Sequence, residues 1–147
     1  MSVIAWDRKT LAADKQGTRG DIAERLTKIV KINTGEVVAW CGGNDQGLLL
    51  LQWYKDGAKP ETWPKFQEGE NWSRMVIVKP GGIVGTYEKQ PVMQPCEEEP
   101  FMAWGSGAEL AIGAMAMGAS ARQAVEIAGR FSASCGLGVD AFDVLMN

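Results

Sequence analysis

Six positions could supply hydrolytic chemistry in a chain that has no histidine. They are Ser2, Asp14, Lys28, Ser106 and the pair Gly42-Gly43. With Met1 removed, Ser2 would carry a free α-amine beside its hydroxyl. Such an amine has a pKa of about 7.7–8.0, suited to a general base near neutral pH. A hydroxyl activated by an N-terminal amine is an established nucleophile arrangement, although Ser at position 2 is also common in proteins that use no such chemistry.

Lys28 lies in the run Leu26 to Ile32, which reads as a strand. One parity of that strand groups it with Leu26, Val30 and Ile32. An ammonium on such a face needs a carboxylate or hydrogen bonds to compensate its burial, and Asp14 at the end of Thr10 to Ala13 is the candidate partner. The plainer alternative is a lysine that reaches water and an aspartate that opens a turn. Gly105-Ser106-Gly107 and Gly42-Gly43 each join a strand to a helix. Backbone amides at such a junction can face an anion or a developing oxyanion, or can simply form a turn. A loop of three residues, Asp7-Arg8-Lys9, would set Ser2 opposite Asp14, whereas a two-residue turn would set Val3 there. Glu97-Glu98-Glu99 reads as a solvated loop, and neither a metal nor a cofactor is expected.

The elements that must position these residues follow from the pattern. Val3 to Trp6 and Thr10 to Ala13 form a first hairpin. Residues 15–25 are polar, with Gly17 and Gly20. Leu26 to Ile32 and Glu36 to Trp40 pair across Asn33-Thr34-Gly35. Asp45 to Lys55 is a helix buried on more than one side, ended by Gly57 and Pro60. Residues 57–73 are irregular, with a helical turn near Glu61 to Phe66. Met75 to Val78 and Ile83 to Tyr87 pair across Pro80-Gly81-Gly82, and Phe101 to Trp104 is a short strand. A helix from Gly107 to Met117 presents Leu110, Ala111, Ala114 and Met117. A second, opened by the capping box Ser120/Gln123, presents Ala121, Ala124, Val125, Ala128 and Phe131. Val139 to Leu145 is the last strand. This order predicts an α+β layered sandwich with helices outside two antiparallel sheets.

Composition narrows the function classes. The 147 residues suit one domain, and a net charge of −3 gives no case for nucleic acid or an anionic membrane. Cys41, Cys96 and Cys135 are odd in number and sit in or beside apolar segments, as buried thiols in a reducing compartment would. No signal peptide or membrane span is read, so a soluble, cytoplasmic protein is expected.

Taken together, Thr10-Leu-Ala-Ala-Asp14, Leu26-Thr-Lys-Ile29, Val37-Val-Ala-Trp-Cys-Gly-Gly43, Trp104-Gly-Ser-Gly107, Gly113-Ala-Met-Ala-Met-Gly-Ala-Ser120 and Ala121-Arg-Gln-Ala-Val-Glu-Ile-Ala128 resemble the proteasome β-type family of N-terminal nucleophile (Ntn) hydrolases. The resemblance is greatest to short proteasome-like proteins of phage and prophage genomes. It implies a four-layer αββα sandwich with a reduced first helical layer and hydrolysis of peptide or small amide bonds, in a homo-oligomer. By position it implies Ser2 as nucleophile and base, Lys28 lowering the pKa of both groups, and Asp14 orienting Lys28. Ser106 would support the N-terminus, and Gly42-Gly43 would supply the oxyanion amide. The pattern departs from the family in offering Ser where Thr is usual, and in placing Ser132 and Cys135 where Asp and a Ser or Thr are common. The Ser2 to Asp14 spacing is also short, and there is no room for a second long helix after the first. Two other readings use the same fold: an inactive structural or binding protein, for example in a viral assembly, and a small-molecule amidase.

Overall fold

In a computed structural model describing residues 2–146, two antiparallel sheets lie face to face between helical layers. The first sheet has the order β10-β1-β2-β11. It is built from Ile4–Trp6 (β1), Thr10–Asp14 (β2), Met102–Trp104 (β10) and Val139–Asp143 (β11). The second, β5-β6-β7-β8-β9, contains Ile29–Lys31 (β5), Val37–Cys41 (β6), Arg74–Lys79 (β7), Ile83–Tyr87 (β8) and Gln94–Pro95 (β9). Helix α1 (Asn44–Lys55) covers the second sheet, while α2 (Ala108–Ala116) and α3 (Ala121–Phe131) cover the first.

Strand parity builds these layers. Ile4, Trp6, Leu11 and Ala13 meet Val37, Ala39, Val76 and Val78 between the sheets. The alternate residues Val3, Ala5 and Ala12 pack against Ala121, Ala124, Val125 and Ala128 of α3. On the other side, Val38, Met75 and Ile77 pack against Leu50 and Trp53 of α1. Central strands buried on both faces therefore appear in sequence as unbroken apolar runs, not as alternation. The small residues on the α3 side let the helix approach closely. At α1 a similar economy operates, since a Cβ on Gly47 would fall 2.0 Å from Trp40 Cδ1.

This is the four-layer αββα arrangement expected. The first helical layer is indeed reduced, with α1 followed only by the 3-10 turns Pro60–Thr62 and Lys65–Glu68. Several local expectations are corrected. Within residues 15–25, where the polar sequence marks no element, lies a ribbon of Gln16–Arg19 (β3) and Ile22–Arg25 (β4), turning at Gly20 with φ +62°. Its residues are mostly exposed, so it lacks the one-sided apolar pattern that marks a strand. The two-residue β9 was also missed. The first hairpin turns tightly, with Asp7 N–H donating to Thr10 C=O and Ile4 paired with Ala13. Val3, not Ser2, thus stands opposite Asp14. Arg8 takes the left-handed conformation that this turn needs, φ +75°.

The strand read from Leu26 starts only at Ile29. Val30 packs toward α1, whereas the Lys28 ammonium is met by polar groups. In α2 the buried contacts come from Ala111 and Met115, while Met117 is almost fully exposed. Phe131 of α3 is exposed too. Leu48 and Leu49 leave one side of α1 open, against the expectation of burial on more than one side. Among the described residues the three cysteines are free, Cys41 and Cys135 buried and Cys96 partly so, and no helix is long and apolar enough to cross a membrane.

Candidate active site

Asp14 closes β2 at the point where the first sheet meets the β3–β4 ribbon, and its carboxylate is fully enclosed. Oδ1 accepts from Val3 N–H at 3.0 Å and from Lys28 Nζ at 2.8 Å. Oδ2 accepts from Gln16 N–H at 3.2 Å and Gly136 N–H at 3.0 Å. Four donors match the roughly four lone-pair directions of a carboxylate, so this buried charge is compensated in full. The tight turn makes it possible: with Val3 opposite Asp14, the Val3 amide is brought to the carboxylate.

Lys28 precedes β5, and its own C=O still accepts from Trp40 N–H, which holds the residue to β6. Its side chain is 4% exposed. The ammonium donates to Asp14 Oδ1, to the Gln16 C=O at 2.7 Å and to Ser2 Oγ at 2.9 Å. It therefore ties together the end of β2, the start of β3 and Ser2, two residues before β1.

Ser2 is buried and fixed through its backbone. Pairing of Ile4 with Trp104 in the β1–β10 ladder, continued by two residues, sets Ser2 opposite Ser106. The Ser2 N–H donates to Ser106 Oγ at 3.2 Å, and the Ser2 C=O accepts from Gly107 N–H at 3.1 Å and from Ser106 Oγ at 3.3 Å. Gly105, at φ +95°, permits this approach, because a Cβ there would lie 2.2 Å from the Ser2 carbonyl oxygen. The expected removal of Met1 concerns a residue outside those described.

Gly42 and Gly43 complete one wall. They line a cavity of about 170 Å³ together with Ser2, Lys28, Gln16, Thr18, Leu26 and Asn44. Gly42 takes φ +110°, a conformation strained for other residues, and Gly43 is the N-cap of α1. The positive end of α1 thus borders the cavity that Ser2 faces, an electrostatic setting suited to a developing negative charge. Asn44 is oriented by the Trp40 indole N–H, which donates to its Oδ1 at 3.2 Å. Nearby Cys41 is buried at the end of β6, and burial pushes its thiol up despite the Arg74 and Lys28 cations.

The structure therefore brings Ser2, Asp14, Lys28 and Ser106 into one hydrogen-bonded cluster, with Gly42 and Gly43 on the same cavity. Reading the sequence missed Gln16, Thr18, Leu26 and Asn44 as lining residues, and also Ser134, whose Oγ is 3.0 Å from Ser106 Oγ. The exposed ribbon carried no signal for Gln16 and Thr18, and Leu26 was read only as the start of an apolar strand. The Phe131 to Gly136 segment drew notice at Ser132 and Cys135, whereas Ser134 makes the shorter contact with Ser106. The Glu97 to Glu99 run lies outside the site, and among the described residues no three acidic or thiol side chains gather as metal ligands.

No protein-family model matches this chain, and no curated protein does. Solved structures do. Thiobacillus denitrificans BPH in complex with Epoxomicin superposes with a TM-score of 0.74 at 21% identity, covering 100% of both chains. A further structure of Thiobacillus denitrificans BPH gives 0.74 at 21% identity over 99% of this chain and 98% of that one. Eukaryotic HslV from Trypanosoma brucei gives 0.68 at 17% identity over 97% of each. At these identities the likeness establishes the fold, the αββα sandwich of proteasome-type Ntn hydrolases.

Proposed function

We propose that this protein is a proteasome-like Ntn hydrolase that cleaves peptide bonds with Ser2 as nucleophile once Met1 is removed. The observation that carries the reading is the 2.9 Å contact between the Lys28 ammonium and Ser2 Oγ, with Lys28 held by the buried Asp14 carboxylate. A cation at that distance stabilises developing negative charge on Oγ. The Ser2 α-amine takes the hydroxyl proton as Oγ attacks the substrate carbonyl carbon. The resulting oxyanion is met by the Gly42-Gly43 amides at the start of α1. Collapse breaks the C–N bond, the leaving amine takes the proton from the Ser2 ammonium, and an acyl ester remains on Oγ. Water, deprotonated by the same amine, then attacks the ester. The carboxylic acid leaves, and Ser2 Oγ recovers its proton.

Homo-oligomer formation belongs to the same reading, supported by exposed Leu48 and Leu49 on α1 and by the likeness to HslV. A phage-encoded origin rests on the sequence resemblance alone. Intact-mass measurement of natively expressed protein, before and after incubation with epoxomicin, tests the reading. Loss of Met1 supports it, together with a gain of one epoxomicin mass that Ser2→Ala, which also loses Met1, does not show. Retention of Met1 across the whole population counts against amine-assisted catalysis and favours an inactive protein of the same fold. Turnover of small amides without any peptide cleavage would favour an amidase.

A further inference from the structure

Behind Ser106 the hydroxyl contacts continue. Ser106 Oγ is 3.0 Å from Ser134 Oγ, and Ser134 Oγ is 2.9 Å from Ser132 Oγ. Ser132 caps the C-terminus of α3, and its Oγ also accepts from Ser134 N–H at 3.3 Å, which fixes the turn that carries Ser134. The segment is pinned to the site from both sides. Gly136 N–H donates to Asp14 Oδ2, and Gly136 C=O accepts from Lys15 N–H at 3.1 Å. The same clamp that compensates Asp14 thus sets Ser134 against Ser106.

A hydroxyl has one proton and two acceptor sites, so a chain of three can run in either direction. With a neutral amine at Ser2, protons point from Ser132 to Ser134 to Ser106 and then to the Ser2 C=O at 3.3 Å, while the amine donates an N–H to Ser106 Oγ and keeps its lone pair for the Ser2 hydroxyl proton. With an ammonium, the amine donates to Ser106, Ser106 to Ser134 and Ser134 to Ser132. The charged or titratable groups around the Ser2 nitrogen are the paired Lys28 and Asp14, the Cys41 thiol raised by burial, and Cys135, whose Sγ is 3.9 Å from Ser106 Oγ. Among the described residues the hydroxyl side thus contributes Ser106, Ser134, Ser132 and a thiol, with no carboxylate hydrogen-bonded to them. We infer that Ser134 is a positioning residue, the link through which a reversible hydroxyl chain holds the Ser2 α-amine in both of its protonation states. This inference rests on the reading of that amine as the catalytic base.

The test uses protein produced with Ser2 as its first residue, and the variants Ser134→Ala, Ser134→Thr and Ser134→Asp, each checked for folding by thermal unfolding. The amine pKa is read by competitive acetylation across pH, independently of turnover, and the pH profile of peptide hydrolysis is recorded in parallel. A carboxylate at position 134 favours the ammonium. It should therefore raise the amine pKa by about half a unit or more and move the acid limb of the rate profile up by the same amount. Ser134→Ala should lower kcat roughly three- to tenfold with KM little changed, and Ser134→Thr should restore it. An amine pKa unmoved in Ser134→Asp, or an unchanged kcat in Ser134→Ala, overturns the role of Ser134. A shifted amine pKa in a protein that hydrolyses nothing keeps the hydroxyl chain and overturns the hydrolase reading.

Discussion

Lys28 Nζ stands 2.9 Å from Ser2 Oγ and 2.8 Å from Asp14 Oδ1, so a single ammonium joins the candidate nucleophile to a carboxylate with no exposed surface. The two contacts have different consequences. The bond to Asp14 concerns the stability of a buried pair, and the bond to Ser2 concerns the chemistry.

Lys28→Ala removes both. It should lower peptide hydrolysis on the order of a hundredfold to a thousandfold, whereas Ser106→Ala, which removes only neutral hydrogen bonds to the Ser2 N–H and C=O, should lower it about tenfold. The Lys28 variant also leaves a buried carboxylate without its cation, at a cost of about 3–5 kcal/mol in stability. Initial rates and denaturant unfolding on both variants check the order. Equal rate losses in the two would remove the special place given to Lys28.

Gly105→Ala attacks the same site through the backbone. The new Cβ would lie 2.2 Å from the Ser2 carbonyl oxygen and would force a side chain to φ +95°. Strain of that kind costs about 1–3 kcal/mol before the clash is relieved. The expected result is a lower Tm together with loss of epoxomicin adduct in the intact mass. Gly113→Ala is the control. A Cβ at Gly113 in α2 meets nothing within 4 Å, so helix propensity should raise stability by about 0.5–1 kcal/mol.

What could be read from the sequence divides along a physical line. The central strands, α1 and the capping box of α3 are local or densely apolar, and they stand within a few residues of where they were predicted. The β3–β4 ribbon was invisible because neither of its faces is consistently buried. Exposed Met117 and Phe131 were misassigned because helical spacing says which residues share a face, not where the covering layer ends. The pairing of Asp14 with Lys28 could be anticipated from two charges in apolar surroundings. The register could not, since it depends on whether the first turn holds two residues or three. The Gly136 amide on Asp14 and the Ser134 hydroxyl on Ser106 join residues more than 25 positions apart, and no local pattern encodes such contacts.

The capping box offers a test of α3, the helix that covers β1 and β2 beneath the site. Ser120 Oγ accepts from Gln123 N–H at 3.2 Å, and Gln123 Oε1 accepts from Ser120 N–H at 2.9 Å. Ser120→Ala should cost about 1 kcal/mol, and Ser120→Asp should retain most of it, because an aspartate also caps and its charge suits the helix N-terminus. Chemical denaturation of the two variants gives the comparison, and an Ala variant as stable as the parent would show that tertiary packing alone holds the start of α3.

At alkaline pH the pair to watch is Tyr54 and Glu36, whose hydroxyl and carboxylate are hydrogen-bonded beside Tyr87. Burial pushes the Tyr54 hydroxyl up strongly, and the hydrogen bond and charge of Glu36 push it further. Tyr87 is also raised, by burial and then by Glu36. An unfolded tyrosine titrates near pH ~10, so the stability these two contribute is fully present below that value. It is lost as pH rises toward the higher folded values, because the unfolded chain releases its protons first. Glu36→Gln removes the charge that raises both. Tyr54 should then ionise at lower pH, and the alkaline fall in stability should become shallower than in the parent. The chain has only 2 tyrosines, so tyrosinate absorbance reads the two together, and Tyr87→Phe in both backgrounds isolates Tyr54. Identical absorbance titrations in the parent and Glu36→Gln would mean that burial alone holds the Tyr54 proton.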